Sequence, residues 1–147
     1  MKQVHLVVGI LAIAAWTVTA AYGAWGWWRT GSGPWFWRLL RLAQAVTLLQ
    51  VALGGVLVAL GHRPPGLHVL YGVLPLLVSL IAEALRAASA QTVLDARGYE
   101  SARAVGDQPP EEQRAVVMAI LRRELGLMAI AAVVIVVLLL RAAQTAG

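Results

Sequence analysis

Four long apolar runs constrain this chain more than any other feature of its sequence. They cover residues 4–27, 42–60, 67–85 and 125–140, and runs of about 18 or more apolar residues are typical of membrane-spanning helices. The composition agrees, because 60% of the 147 residues are hydrophobic and only 13% are charged, whereas soluble domains carry roughly 25% charged residues. We therefore predict an integral membrane protein.

The expected fold class is all-α, a four-helix transmembrane bundle that forms a single domain over residues 1–147. The fourth run has only 16 residues, so its helix must begin earlier, and the predicted spans are about 4–27, 42–60, 67–85 and 118–140. The stretch Thr19-Ala20-Ala21 resembles a signal-peptide cleavage site. Because only Lys2 supplies the positive charge before it, we predict a retained helix instead.

The distribution of basic residues predicts the orientation in the membrane. Nine of the 12 Lys and Arg residues lie in or beside the first and third connections between spans, and three lie at the opposite ends. Cytoplasmic loops are enriched in Lys and Arg, so we expect a multi-pass protein of the cell membrane with both termini outside the cytoplasm. Aromatic rings favour the headgroup zone, so we expect an interfacial belt from the tryptophans around the first connection: Trp25, Trp27, Trp28, Trp35 and Trp37.

The third connection, about residues 86–117, is the one sizeable segment expected outside the membrane. Helix three is predicted to continue past Arg86 and to end at Gly98, a residue type common just after helix ends. A new helix is predicted from about Pro110, because proline in the first turn and the acidic pair after it favour a helix start. The segment is therefore expected to form a short cytoplasmic helical hairpin, either a docking surface or packed against the bundle.

Two of the three histidines stand in similar heptapeptides. HLVVGIL begins at His5 and HVLYGVL begins at His68, and in both a glycine follows four residues later, Gly9 and Gly72. Both heptapeptides begin a helix that is predicted to run inward and to be followed by a return helix. We infer two helical hairpins repeated in parallel topology, related by a pseudo-two-fold axis along the membrane normal.

This repeat places His5 and His68 at equal depth on helices that can face each other diagonally across a bundle. Two imidazoles in that arrangement suit axial ligation of one haem iron. Gly9 and Gly72 lie one helical turn below the histidines on the same faces, where a missing Cβ leaves space for a flat porphyrin. Small residues also let membrane helices pack closely without any cofactor, but ionisable groups within spans are costly and usually functional.

His62 lies in the loop sequence GHRPPG. It is interpreted as a solvated interfacial residue, as an alternative axial ligand, or as a hydrogen-bond donor to a haem propionate. Arg63 and Lys2 are candidate cations for the propionates, or they simply flank the membrane. A competing use of His5, His62 and His68 is a zinc or copper site, although no acidic side chain is expected on that side to complete it.

Other functional classes find little support in the sequence. The absence of cysteine excludes disulfides and covalent haem attachment, and no nucleotide fingerprint, phosphate loop or nucleophile–base motif is present. Glu83 is expected to pair with Arg122 or Arg123 near the inner end of the bundle. The basic residues are not gathered on one soluble face, so no nucleic-acid partner is expected.

The sequence therefore predicts a membrane b-type haem protein with His5 and His68 as the iron ligands. Its role would be electron transfer or haem handling rather than catalysis, and its partners the lipid bilayer, a respiratory complex, a quinone or a second copy. Two other roles stay open: an enzymatic one, in redox chemistry or haem A synthesis, and a cofactor-free subunit that assembles or docks in a larger membrane complex.

The chain also resembles two groups of known proteins. Through GLHVLYGVLPLLVSLIAEALR, VLDARG, EEQR and RRELGLMAI the chain resembles small uncharacterised membrane proteins of high-GC actinobacteria. LLQVALGGVLVALG, followed by a helix-opening histidine, resembles one half of haem A synthase. In that family an inward helix carries one haem-ligating histidine, a return helix follows, and the next inward helix carries the second.

The resemblance to haem A synthase implies haem ligation by His5 and His68. The chain departs from that family in two respects. Lys2-Gln3-Val4 precedes His5 where the family places a glutamate, and the chain has one four-helix unit where the family has two. The resemblance therefore implies haem binding more directly than haem A synthesis.

Overall fold

A computed structural model describes residues 1–29, 31 and 33–146 of the chain. These residues form α-helices and connecting turns, with no β-strand among them. The elements in chain order are α1 (Lys2–Trp28), α2 (Pro34–Ala59), α3 (Gly66–Ala87), α4 (Ser89–Ala96), α5 (Ala102–Gly106) and α6 (Pro110–Gln144).

Four of these helices, α1, α2, α3 and α6, are long and apolar enough to cross a membrane. Much of their outward surface consists of exposed Leu, Val and Ile side chains, which in water would be an unusually large apolar area. Both observations indicate a multi-pass membrane protein, as the apolar runs of the sequence predict.

Helix α6 makes the most extensive contacts of the four, packing along both α1 and α3. Helix α1 also packs along α2, whereas α2 touches α3 over a much shorter stretch. The main core joins side chains from all four helices, with Trp16, Phe36, Ala82, Met128 and Ile135 among its buried members. Because lipid is as apolar as these side chains, close packing and hydrogen bonds hold such helices together.

One hydrogen bond crosses this core between α1 and α2. The Trp16 indole N–H donates to Thr47 Oγ1 over 2.7 Å, and the two residues are only 1% and 2% exposed. Thr47 Oγ1 in turn donates to the Ala43 carbonyl of its own helix, 2.9 Å away. The Trp16–Thr47 bond therefore joins α1 to α2 at a site that neither lipid headgroups nor water reach.

Glycine in a left-handed conformation ends two helices. After α2, Gly61 has a φ of 89°, its N–H bonds to Val58 O, and the N–H of His62 bonds to Leu57 O. After α4, Gly98 has a φ of 74° and the same pair of bonds follows it. Such paired bonds satisfy carbonyls at a helix end that lack partners within the helix, and the predicted helix end at Gly98 is confirmed.

The third connection differs in detail from the prediction. Helix α3 ends at Ala87 and α4 begins at Ser89, so helix three does not continue unbroken to Gly98. Ser89 Oγ donates to the Leu85 carbonyl over 3.2 Å, a local bond of the kind that often bends helices. The start of α6 at Pro110 is confirmed.

A small second core joins the short helices to the start of α6. Leu94 of α4, Val105 of α5 and Val116 of α6 are its buried members. Beside it, Glu112 accepts hydrogen bonds from Arg97 Nη1 at 3.0 Å and from the Tyr99 hydroxyl at 3.2 Å. Burial, and then the hydrogen bond to Glu112, raise the pKa of Tyr99. These contacts pack the connection against α6.

Candidate functional site

The first turns of α1 and α3 bring His5 and His68 together. Their ring centres are 6.1 Å apart and their planes are inclined by 69°. Both side chains are half-buried. Two imidazoles that are 63 positions apart in the chain (68 − 5) therefore meet at one end of the long helices.

The ring of His68 is oriented by the last turn of α6. Its Nδ1 lies 2.9 Å from the Ala142 carbonyl oxygen, and since a carbonyl only accepts, Nδ1 must be the protonated nitrogen. Nε2 is then the nitrogen with the free lone pair. The Ala142 carbonyl also accepts hydrogen bonds from the N–H of Thr145 at 3.3 Å and from Thr145 Oγ1 at 3.2 Å.

The ring of His5 lies against α2. Its Nε2 is 3.2 Å from Gln50 Nε2, while its Nδ1 and the Gln50 Oε1 atom are buried without a hydrogen-bond partner. Gly54 lies beside the ring, and a Cβ added there would stand 3.3 Å from His5 Cε1. Rotating the Gln50 amide changes which of its atoms faces Nε2, but His5 Nδ1 stays unpartnered in either orientation. Unsatisfied buried polar atoms are uncommon in proteins.

The two predicted glycines differ in their surroundings. A Cβ at Gly9 would come within 2.9 Å of Gln50 Nε2, so the Gln50 amide occupies the space beside Gly9. A Cβ at Gly72 would meet no heavy atom within 4 Å. The space below His68 is therefore open, whereas the space below His5 is filled by a flexible side chain.

His62 lies at the end of α2, where its Nδ1 is 3.2 Å from the Leu57 carbonyl oxygen. Within residues 1–29, 31 and 33–146, no three His, Asp or Glu side chains come close enough together to hold a metal ion. His5, His62 and His68, weighed for a zinc or copper site, are therefore not gathered into one such group among these residues. The physical reason is that His62 turns back to cap its own helix.

Three basic residues near this end of the long helices could pair with an anionic group such as a haem propionate. Lys2 and Arg63 are exposed, and in the part of the chain that the structure describes neither side chain has a hydrogen bond or an ion pair. Arg141 was not among the residues predicted from the sequence. Its guanidinium lies 5.7 Å from the centre of the Tyr71 ring, and it directly precedes Ala142, the partner of His68.

A second polar cluster lies towards the other end of α3, and here the predicted pairing is wrong. Glu83 binds Arg41 Nη1 at 2.6 Å and Arg86 Nε at 2.9 Å, rather than Arg122 or Arg123. Arg41 comes from α2, a helix whose rotation the sequence pattern did not reveal, and Arg86 follows Glu83 by three residues, a spacing that brings helical side chains together.

Further contacts tie this cluster to three of the four long helices, α2, α3 and α6. Gln44 Nε2 donates to Glu83 Oε1 at 2.9 Å and to Ser79 Oγ at 3.0 Å. Arg86 also faces Glu124 of α6 at 3.6 Å, and its guanidinium lies 5.4 Å from the Trp37 ring centre. With each charge matched by an opposite one, the cluster has the character of a structural clamp.

Comparisons of the chain with protein-family models, with curated proteins and with solved structures find no match. The resemblances to actinobacterial membrane proteins and to haem A synthase therefore stay predictions.

Proposed function

We propose that this chain is a membrane b-type haem protein in which His5 and His68 are the two axial ligands of the iron. The observation that carries the proposal is the 6.1 Å separation of the two ring centres. Metal–imidazole bonds are about 2.0 Å long, so two imidazoles on opposite sides of one metal ion have ring centres roughly 6 Å apart. The helices already hold the rings at that spacing.

The hydrogen bonds of the two rings support the same proposal. Metal-binding histidines usually donate their other ring N–H to a carbonyl or carboxylate, which sets the tautomer and the ring orientation. The bond from His68 Nδ1 to Ala142 O has this form and leaves Nε2 free to bind iron. His5 has a buried ring nitrogen without a partner, so its present hydrogen bonding is incomplete.

A porphyrin fits only if one side chain moves. The open space at Gly72 suits one edge of the ring, but the Gln50 amide fills the space at Gly9. Gln50 is flexible, and its contact with His5 Nε2 is a single 3.2 Å hydrogen bond. Haem binding therefore requires the amide to turn away from His5, with Lys2, Arg63 and Arg141 available to pair with the propionates.

Two neutral imidazoles leave no open coordination position on the iron. A haem bound in this way suits electron transfer better than oxygen chemistry, and haem handling is the other use. The proposal includes the predicted arrangement: two parallel helical hairpins, both termini outside the cytoplasm, and the connection of α4 and α5 on the cytoplasmic side. A reporter fused to the C-terminus that proved cytoplasmic would contradict this orientation.

The direct experiment is a haem titration of the purified chain, followed in the Soret region. We expect His5→Ala and His68→Ala each to abolish the low-spin spectrum, because each removes one ligand. His62→Ala is the matched control, since its side chain contacts the Leu57 carbonyl, and it should only perturb the spectrum. If His62→Ala by itself removes the haem, the ligand assignment is wrong.

A cofactor-free subunit of a larger membrane complex is the second candidate. Its supporting observation is that each histidine already has a structural contact, His68 with the end of α6 and His5 with Gln50 of α2. In that case His68→Ala would weaken the packing of α3 on α6 without any optical change. A purified protein that shows no Soret band after haem is supplied would favour this candidate.

A further inference from the structure

A cleft of about 580 Å³ lies far from the histidines, near the end of α1 and the start of α2. Trp27 of α1, Trp37 of α2 and Met118, Arg122 and Leu125 of α6 are among the residues that line it. Most of this lining is apolar, and tryptophan side chains favour the headgroup zone of a membrane. The cleft is therefore positioned where lipid headgroups and the first part of the acyl chains would lie.

Two hydrogen-bond donors that line the cleft have no partner among the described residues. Over the described ranges, the Arg122 guanidinium has no ion pair or hydrogen bond, and the Trp27 indole N–H has no acceptor. A Cβ at Gly126 would stand 3.1 Å from Trp27 Nε1, so the absence of a side chain at Gly126 lets this indole lie close to α6. No described residue that lines the cleft is acidic. The cleft thus offers donors and positive charge, but no acceptor of opposite charge.

Arg122 differs in this respect from the arginine of the neighbouring cluster. Arg86 is matched by Glu83 and Glu124, whereas Arg122 lines the cleft and has no acidic partner in the part of the chain that the structure describes. A second cleft on the same stretch of α6 shares Met118 and is lined by Arg114, which adds positive charge nearby. Arginine binds phosphate through several N–H donors of its planar guanidinium, and basic pockets between membrane helices bind anionic headgroups.

We propose that this cleft binds one anionic phospholipid. Its phosphate would accept hydrogen bonds from Arg122 and the Trp27 indole, and the first part of an acyl chain would lie along Met118 and Leu125. A zwitterionic lipid is less suited, because its ammonium group would find positive charge and no carboxylate in the described lining. This inference does not depend on haem binding, since the cleft and the histidines use different residues.

The test is native mass spectrometry of the purified chain in detergent, titrated with dioleoylphosphatidylglycerol or with dioleoylphosphatidylcholine. We expect Arg122→Gln to weaken phosphatidylglycerol binding about tenfold, the loss typical of a charge-assisted hydrogen bond. Trp27→Phe keeps the ring but loses the N–H, and we expect a reduction of about threefold. Arg123→Gln is the matched control: it removes the same charge from the adjacent, exposed residue, which is not among the residues that line the cleft, and should change binding by less than about twofold.

Three results would overturn the inference. Equal losses for Arg122→Gln and Arg123→Gln would indicate diffuse attraction to the arginine-rich surface. Equal affinities of the unaltered chain for the two lipids would show that the charge of Arg122 does not select the ligand. Displacement of phosphatidylglycerol by a lower concentration of decylubiquinone would identify the cleft as a quinone site. Arg122 is exposed, so its substitution should leave the helical circular dichroism unchanged.

Discussion

Substitution of Thr47 by valine tests whether the buried Trp16–Thr47 hydrogen bond holds α1 against α2. Valine keeps the volume of threonine but removes the hydroxyl that accepts the hydrogen bond of the Trp16 indole N–H. Trp16 is 1% exposed, so water cannot replace this acceptor. An unsatisfied buried donor costs about 1–3 kcal/mol in soluble proteins. Interhelical hydrogen bonds in membranes average about 0.6 kcal/mol with a maximum of about 1.7 kcal/mol. We therefore expect a loss of about 1 kcal/mol in the free energy of unfolding, or roughly fivefold in the unfolding equilibrium constant.

The assay is reversible unfolding in mixed micelles, followed by far-ultraviolet circular dichroism. Thr17→Val is the matched control, because Thr17 is exposed and bonds only to the Ile13 carbonyl of its own helix, and it should change the free energy by less than about 0.5 kcal/mol. A double-mutant cycle with Trp16→Phe separates the hydrogen bond from the lost ring volume. A coupling energy near zero, or equal effects of Thr47→Val and Thr17→Val, would refute the reasoning.

Three further predictions concern other parts of the molecule. Gln50→Ala should tighten haem binding by up to about fivefold in the Soret titration, because haem no longer competes with the hydrogen bond to His5; weaker binding would contradict this. Gly98→Ala should lower the free energy of unfolding by about 1 kcal/mol, because of its φ of 74°. Gly106→Ala, where an added Cβ meets nothing within 4 Å, should be neutral or stabilising, and equal losses at both glycines would refute the argument. Glu83→Gln should lower the free energy of unfolding by about 1–3 kcal/mol, a range that already allows for the partial exposure of its partners. A loss below about 0.5 kcal/mol would show that the cluster is not a clamp.

Helix existence was largely predictable from this sequence, because apolar runs and end signals are local features. The start of α6 at Pro110 was predicted from residue type, and so was Gly98 as the glycine that follows a helix end, although the helix before it is the separate α4 (Ser89–Ala96). The start of α2 was not, since the helix begins at Pro34 and the apolar run only at residue 42. Its first two turns are rich in Trp and Arg. These residues suit the membrane interface, but a search for long apolar runs does not detect them.

The contacts between side chains were less predictable, because they depend on how each helix is rotated about its axis. The sequence pattern places His5 and His68 at equal depth, and the structure brings their rings into contact. The sequence pattern does not reveal that Gln50 lies against His5. Nor does it reveal that a backbone carbonyl, at Ala142, orients His68, since carbonyls have no sequence signature.

Glu83 illustrates the same limit for charged groups. Depth along the bundle predicted a partner on the fourth span, and α6 does approach this cluster through Glu124. The partners of Glu83 are nevertheless Arg41 and Arg86. Several arginines lie at similar depth, so only the helix rotations decide which of them reaches the carboxylate.

The reduced-minus-oxidised visible spectrum of the purified chain, recorded after haem is supplied and repeated under carbon monoxide, tests the central claim most directly. The account predicts the sharp bands of a low-spin haem, one per chain, which carbon monoxide does not change because His5 and His68 occupy both axial positions. A protein that stays colourless would contradict haem binding altogether. A high-spin spectrum that carbon monoxide shifts would contradict ligation by both histidines.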